Sequence, residues 1–200
     1  MIVVAAVRAA FENLKADFMD ARFPLIAGRV AGGSLAWGET LLGLYQAGGR
    51  AELDGIDALA RFWILRYRGM PVPADMTGAP PGAAFVLAFT AFPYLDVMIE
   101  AWELGGLVGE GEDSDRPRLH LLFDGNDEGE VVTAERSGGS WRFDLMPLYR
   151  GKARALQTFI DARFGGDFDA FVEHYVAEHD LEFDFKQAWT PLNLENNHGR

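Results

Sequence analysis

The interval between apolar side chains changes twice along the chain, and this change constrains the fold more than any other feature. In the first third, and again after Pro147, apolar residues recur at the three- and four-residue intervals of a helix. Between residues 100 and 145 they form short segments separated by Asp-Gly-Asn and Ser-Gly-Gly turns, which is typical of an antiparallel meander. This order predicts an α+β fold in which helices cover one face of a curved sheet.

The helical intervals predict four helices with defined ends and a fifth that begins after Asp167. Asp54 is expected to cap the third helix, because an aspartate at that place accepts hydrogen bonds from free backbone amides. The apolar segment 85–92 fits a helix and a strand equally well. The helices are predicted over residues 5–18, 35–47, 56–68 and 152–164, and the strands over 100–108, 118–123, 130–136 and 140–145.

A proline-rich segment over residues 70–82 interrupts the chain. It holds four of the nine prolines, so we expect a connector there. The 200 residues are predicted to form a single domain, with an α+β core over 1–149 and a C-terminal helical extension over 150–192.

Composition excludes several classes of function. The chain has no cysteine, which excludes disulfides, thiol nucleophiles, iron–sulfur clusters and cysteine-bound zinc. Its net charge is −12, and an acidic surface repels phosphate, so we expect neither a nucleic acid nor a membrane as partner. We expect no cofactor or metal, and a soluble protein in the cytoplasm.

Three segments together carry a resemblance to a known family: the helical first third, the hairpin formed by Leu119-His-Leu-Leu-Phe and Glu130-Val-Val-Thr-Ala-Glu-Arg, and the segment Gly139-Ser-Trp-Arg-Phe-Asp-Leu145. Over residues 34–147 the chain resembles the NTF2-like (SnoaL-like) α+β cone superfamily. The resemblance implies a cone-like sheet with a concave cavity. Members include isomerases, hydratases and modules without enzymatic activity, so the resemblance implies a fold and no single function.

Two functions follow from this resemblance as hypotheses. The first is binding of a small apolar ligand, or of a partner protein, in the cone or on the sheet. The alternative is a proton-transfer isomerase or hydratase that uses an aspartate or histidine in the cavity. His120, Asp96 and Tyr94 are the candidate catalytic residues for this alternative, because a histidine or aspartate can act as a base and a tyrosine can donate to an oxyanion.

The apolar residues of the predicted strands lie on both faces, so something must cover the second face of the sheet. We expect the C-terminal helices to cover it, and a homodimer to form through whatever sheet remains exposed. Deleting residues 150–200 should then leave an insoluble core.

Two further sequence patterns are compatible with ion binding. Residues 124–135 match a calcium loop at several positions, but strand-like flanks favour an acidic hairpin turn. Arg150, Lys152 and Arg154 cluster at the start of a predicted helix, where exposed amides could bind an anion.

Overall fold

The computed structural model describes residues 2–91, 99–109 and 115–192. Its helices are α1 (Ile2–Met19), α2 (Phe23–Ala27), α3 (Gly32–Ala47), α4 (Arg50–Asp54), α5 (Ala58–Arg68), α6 (Pro81–Thr90), α7 (Met146–Phe164), α8 (Phe168–Glu178) and α9 (Phe185–Ala188). Its strands are β1 (Trp102–Leu107), β2 (Arg118–Phe123), β3 (Asn126–Ser137) and β4 (Ser140–Asp144). The predicted α+β class is confirmed.

The four strands form one open antiparallel sheet in the order β1-β2-β3-β4, so each strand pairs with its neighbour in sequence. Asp124 and Gly125, between β2 and β3, both have positive φ and form a hairpin turn. The rest of the segment 124–135, which was compared with a calcium loop, belongs to β3, in agreement with its strand-like flanks. The segment before α3 extends the sheet beyond β4. There Val30 forms a parallel bridge with Phe143, whose amide donates to the carbonyl of Arg29 over 2.8 Å.

Helix α1 packs across one face of the sheet. The ring of Phe11 meets that of Phe143 edge-on, with centroids 5.4 Å apart. At the far edge the Lys15 ammonium donates to the carbonyl of Trp102 over 2.8 Å. The side chains beneath α1 alternate along the strands as a half-buried sheet requires, and the buried members include Leu119, Leu121, Val132, Ala134 and Phe143.

Residues 85–90 of the apolar segment whose period fits both a helix and a strand lie in helix α6. This helix begins at Pro81, inside the predicted connector. It is buried on almost every side, so its sequence lacks the polar stripe that would mark a helix. Helix α3 crosses it closely at Gly38, where an added Cβ would lie 2.0 Å from the carbonyl oxygen of Pro81. Only glycine fits this crossing.

The predicted cap of α5 is wrong by three residues. Asp54 ends the short helix α4, and Asp57 caps α5 by accepting a hydrogen bond from the amide of Ala60 over 2.9 Å. At the other end of α5 the buried guanidinium of Arg68 donates to the carbonyls of Leu44, Tyr45 and Gly48 over 2.7–2.9 Å. Arg68 therefore satisfies the free carbonyls that end α3.

The N-terminus of α3 has a cap from the distant strand β4. The Asp144 carboxylate accepts hydrogen bonds from the amides of Gly33 (3.0 Å) and Ser34 (3.2 Å), and from the Ser34 hydroxyl (2.9 Å). In return, the Ser34 hydroxyl oxygen accepts from the amide of Leu145 over 2.7 Å. Gly32 permits this approach: its φ is +54°, and an added Cβ would lie 3.0 Å from the carboxylate.

Helix α7 begins at Met146, six residues before the predicted start at Lys152. Lys152 is consequently inside the helix and buried, and its ammonium donates to the carbonyl of Phe89 near the end of α6 over 2.6 Å. The predicted cluster with exposed amides at a helix start is therefore wrong. The next helix, α8, packs on α5, where Phe62 meets Phe171 and Tyr175 at centroid distances of 5.3 and 4.8 Å.

Across the described residues, every helix is too short or too polar to span a bilayer.

Candidate functional site

An open cleft of about 570 Å³ lies between α3, the start of α5 and one side of α7. A volume of this order suits a small organic ligand. We call the buried apolar side chains of its lining the floor and the exposed long polar side chains the rim; the Asp57 carboxyl group is half-buried. The lining residues are Trp37, Asp57, Ala58, Met146, Tyr149, Arg150, Ala153, Arg154 and Gln157.

Asp57 and Tyr149 form a hydrogen-bonded pair in this cleft. The Tyr149 hydroxyl donates to the Asp57 carboxylate and lies 3.1 Å from Oδ1 and 3.3 Å from Oδ2. Asp57 is positioned by its role as the cap of α5, and Tyr149 is held by burial within the first turn of α7. The pair therefore joins α5 and α7 through two residues that are 92 positions apart in the chain.

Burial perturbs both members of the pair. Loss of hydration raises the pKa of Asp57 above its usual range, and hydrogen bonds from the Ala60 amide and the Tyr149 hydroxyl oppose part of that rise. The pKa of Tyr149 is raised well above 10, mainly by burial and also by the nearby charge of Asp57. Perturbed pairs of this kind in a cleft are typical of functional sites, although structural pairs show them too.

The aromatic wall of the cleft is formed by Trp37 on α3. Its indole meets the ring of Tyr149 edge-on, with centroids 6.0 Å apart. The indole N–H is shielded from solvent and makes no hydrogen bond of ordinary geometry within the described part of the chain. Trp37 is nevertheless half-exposed through its ring, so a bound molecule has an aromatic surface to pack against.

The rim of the cleft carries two exposed arginines on α7. Arg154 donates to the carboxylate of Glu130 on β3 over 3.1 Å. Arg150 lies one turn earlier on the same side of the helix. Gln157 completes this rim and donates to Asp161 over 2.8 Å.

Only one of the three predicted catalytic residues lies in the described part of the chain. His120 is on the face of β2 opposite the buried Leu119 and Leu121, and its side chain is 38% exposed. Its Nδ1 lies 2.9 Å from an Asp127 carboxylate oxygen across the hairpin. Tyr94 and Asp96 lie outside the described residues.

The residues that do converge were missed by the sequence analysis. Asp57 could have been identified as a helix cap, because it stands three residues before Ala60 at the start of an apolar stripe. The same reasoning led to the prediction that Asp54 is the cap. Nothing local marks Tyr149 or Trp37 as its partners, because their contact depends on how α3, α5 and α7 pack.

Two other clefts are more polar in character. One of about 300 Å³ lies beside Arg50, Asp169 and Trp189, where the Arg50 guanidinium packs 4.0 Å from the indole centroid and pairs with Asp169. The other, of about 420 Å³, is formed by residues of the connector and of the segment around α9. In the parts of the chain that the structure covers, no three histidine, aspartate or glutamate side chains are grouped to hold a metal ion.

Comparison with known proteins adds no relative: no family model matches the chain, and neither a curated protein nor a solved structure does.

Proposed function

We propose that the protein binds a small, largely apolar molecule in the cleft between α3, α5 and α7. The observation that carries the proposal is the combination of an apolar floor with one convergent polar pair, Asp57 and Tyr149. Ligand sites typically combine these features, because apolar contact supplies affinity and a few polar groups fix orientation. The cleft lies among helices, whereas the family resemblance suggested a ligand in the cone or on the sheet.

A thermal-shift screen tests this proposal. A ligand that binds the native state raises the melting temperature, since binding to the folded chain alone stabilises it. The panel should hold small aromatic acids, amides, alcohols and short fatty acids. Absence of any shift at millimolar concentration would contradict the proposal.

A matched pair of tryptophan variants locates the binding. Trp37→Leu removes the aromatic wall of the cleft, whereas Trp141→Leu removes a similarly half-buried tryptophan from β4, outside the cleft. We expect ligand binding to be lost in the first variant and retained in the second. Equal binding by both variants would place the ligand elsewhere. Comparing each variant with and without ligand separates this effect from any change in intrinsic stability.

A second candidate function is proton transfer in the same cleft, which keeps the isomerase or hydratase alternative but changes its residues. Its support is the raised pKa of Asp57 beside the Tyr149 hydroxyl. A carboxylate base whose pKa is closer to neutrality can abstract a proton from the carbon beside a carbonyl. The single O–H of Tyr149, which donates to Asp57 in the free cleft, would then turn to the oxyanion formed on the substrate.

Deuterium incorporation tests this second candidate. The chain is mixed with small cyclic ketones in D₂O, and exchange beside the carbonyl is followed by proton NMR. We expect catalysed exchange, and we expect Asp57→Asn to abolish it while Asp54→Asn, which changes an exposed aspartate three residues away, does not. Exchange no faster than in buffer would exclude the function for those ketones, and exchange that survives Asp57→Asn would exclude Asp57 as the base.

Assembly and family remain proposals as well. The order of α-helices and a four-strand meander supports the NTF2-like assignment, and with it a cone-shaped sheet. A homodimer through the outer face of the sheet is supported by Leu122 and Val131, which lie half-buried beside His120 on that face. Light scattering after gel filtration measures the dimer directly. A cytoplasmic location and the lack of a nucleic-acid partner stay predictions from composition.

A further inference from the structure

The charge around the cleft differs from that of the chain as a whole. The net charge is −12, yet the exposed rim of the cleft carries Arg150 and Arg154, one helical turn apart on α7. Arg154 is partly neutralised by Glu130. Within the described ranges, no carboxylate lies within 4.0 Å of the guanidinium nitrogens of Arg150. The rim therefore offers a planar donor group to an anion in a molecule that otherwise repels anions.

The more buried part of the lining has the opposite charge. Asp57 is half-buried, and its carboxylate is held by the Ala60 amide and the Tyr149 hydroxyl. A second carboxylate next to it would be repelled. A ligand with one anionic end is therefore expected to orient with that end outward at the arginines and its apolar body inward.

The apolar body has a preferred shape. Trp37 and Tyr149 meet edge-on, and the half-exposed Trp37 is part of the cleft lining. Flat aromatic rings pack well against such a surface and lose little conformational entropy on binding.

We infer that the ligand of this cleft is an aromatic monocarboxylic acid, whose carboxylate is bound by Arg150 with a smaller contribution from Arg154. The inference rests on the proposed function, because it names the chemical class of the ligand at the same site. Arg150 is the main determinant because Arg154 already pairs with Glu130.

Three isosteric probes test the inference by calorimetry at pH 7: 2-naphthoate, its neutral amide and the cationic 2-naphthylmethylamine. We expect the acid to bind about two- to fivefold more tightly than the amide, the range expected of a solvent-exposed charged contact. We expect the amine to bind most weakly. The preference for the acid should decrease in high salt, which screens exposed charges.

Arginine variants assign the preference to its source. Arg150→Gln should remove most of the preference for the acid and leave the affinity for the amide unchanged. Arg154→Gln should have a smaller effect. Arg163→Gln, an exposed position near the end of α7 and outside the cleft, is the control and should change neither affinity.

The outcomes separate the inference from the proposed function. If acid and amide bind equally, and both depend on Trp37, the cleft is a binding site but the carboxylate inference is wrong. A preference for the acid that is undiminished in Arg150→Gln also overturns it. If none of the three probes binds, the inference is wrong, and the proposed function is decided by the thermal-shift screen. If the probes bind independently of Trp37, both the inference and the proposed function fail.

Discussion

The buried amine of Lys152 should make the stability of the protein depend strongly on pH. Lys152 is 1% exposed, and its ammonium donates to the Phe89 carbonyl over 2.6 Å. Burial lowers the pKa of Lys152 from 10.5 to about 7. The perturbation that isolates this effect is Lys152→Met, which keeps the length of the side chain and removes the titrating group.

The magnitude follows from the shift in the pKa of Lys152. Since one pKa unit corresponds to 1.36 kcal/mol, a fall from 10.5 to about 7 amounts to about 5 kcal/mol. Above pH 10.5 the amine is neutral in both the folded and the unfolded chain. As the pH falls, the unfolded chain takes up the proton first, so the folded state loses stability until the folded chain is protonated as well, near pH 7.

The assay is urea denaturation of both proteins between pH 7 and pH 10. The free energy of unfolding of the wild type, minus that of Lys152→Met, should rise by up to about 1.4 kcal/mol per pH unit, or about 4 kcal/mol over the range. Taking the difference removes the titration of other groups. Lys186→Met, at an exposed lysine of α9, is the control. A rise that Lys186→Met shows equally would not be due to the burial of Lys152.

A flat difference for Lys152→Met would refute the reasoning. It would mean that the amine keeps its proton in the folded chain at every pH tested, and that its surroundings stabilise the charge.

Three further predictions concern packing, capping and domain organisation. Gly38→Ala should destabilise the protein by about 2 kcal/mol or more, because its Cβ would overlap the backbone of Pro81. Gly43→Ala in the same helix should stabilise it by about 0.5–1 kcal/mol, since nothing lies within 4 Å there. Asp144→Ala should cost about 2–3 kcal/mol in urea denaturation, through the loss of charged hydrogen bonds. Deleting residues 150–200 should give insoluble protein in a centrifugation assay; a fragment 1–149 that is soluble and unfolds cooperatively would contradict this.

Sequence periodicity predicted the fold class because most of the helices and strands here have one exposed face. The positions of the turns could also be predicted from the sequence, since Gly125, Gly138 and Gly139 have the positive φ that a glycine-rich turn requires. Helix α6 was not readable, because its buried Phe85, Val86 and Phe89 leave no polar side to set the period.

The candidate site was beyond the reach of sequence patterns for a different reason. Asp57 and Tyr149 are each ordinary in their local sequence, one a helix cap and the other a buried aromatic. Their hydrogen bond depends on how α5 packs against α7, and no local spacing in the sequence encodes that packing. Asp54 and Asp57 were equally good caps by sequence, and a displacement of three residues in the helix start decided which carboxylate entered the cleft.

The cap that Asp144 provides for α3 has a consequence for how the chain folds as it leaves the ribosome. The residue before α3, Ala31, offers no side-chain cap of its own, so the first turn of this helix lacks one until residue 144 has been made. N-terminal segments generally fold first during synthesis, but here the N-terminus of α3 is capped only after the last strand has formed. We therefore expect the nascent chain to acquire protease resistance late, after β4 and the C-terminal helices that follow it have emerged, and not progressively from its N-terminal end.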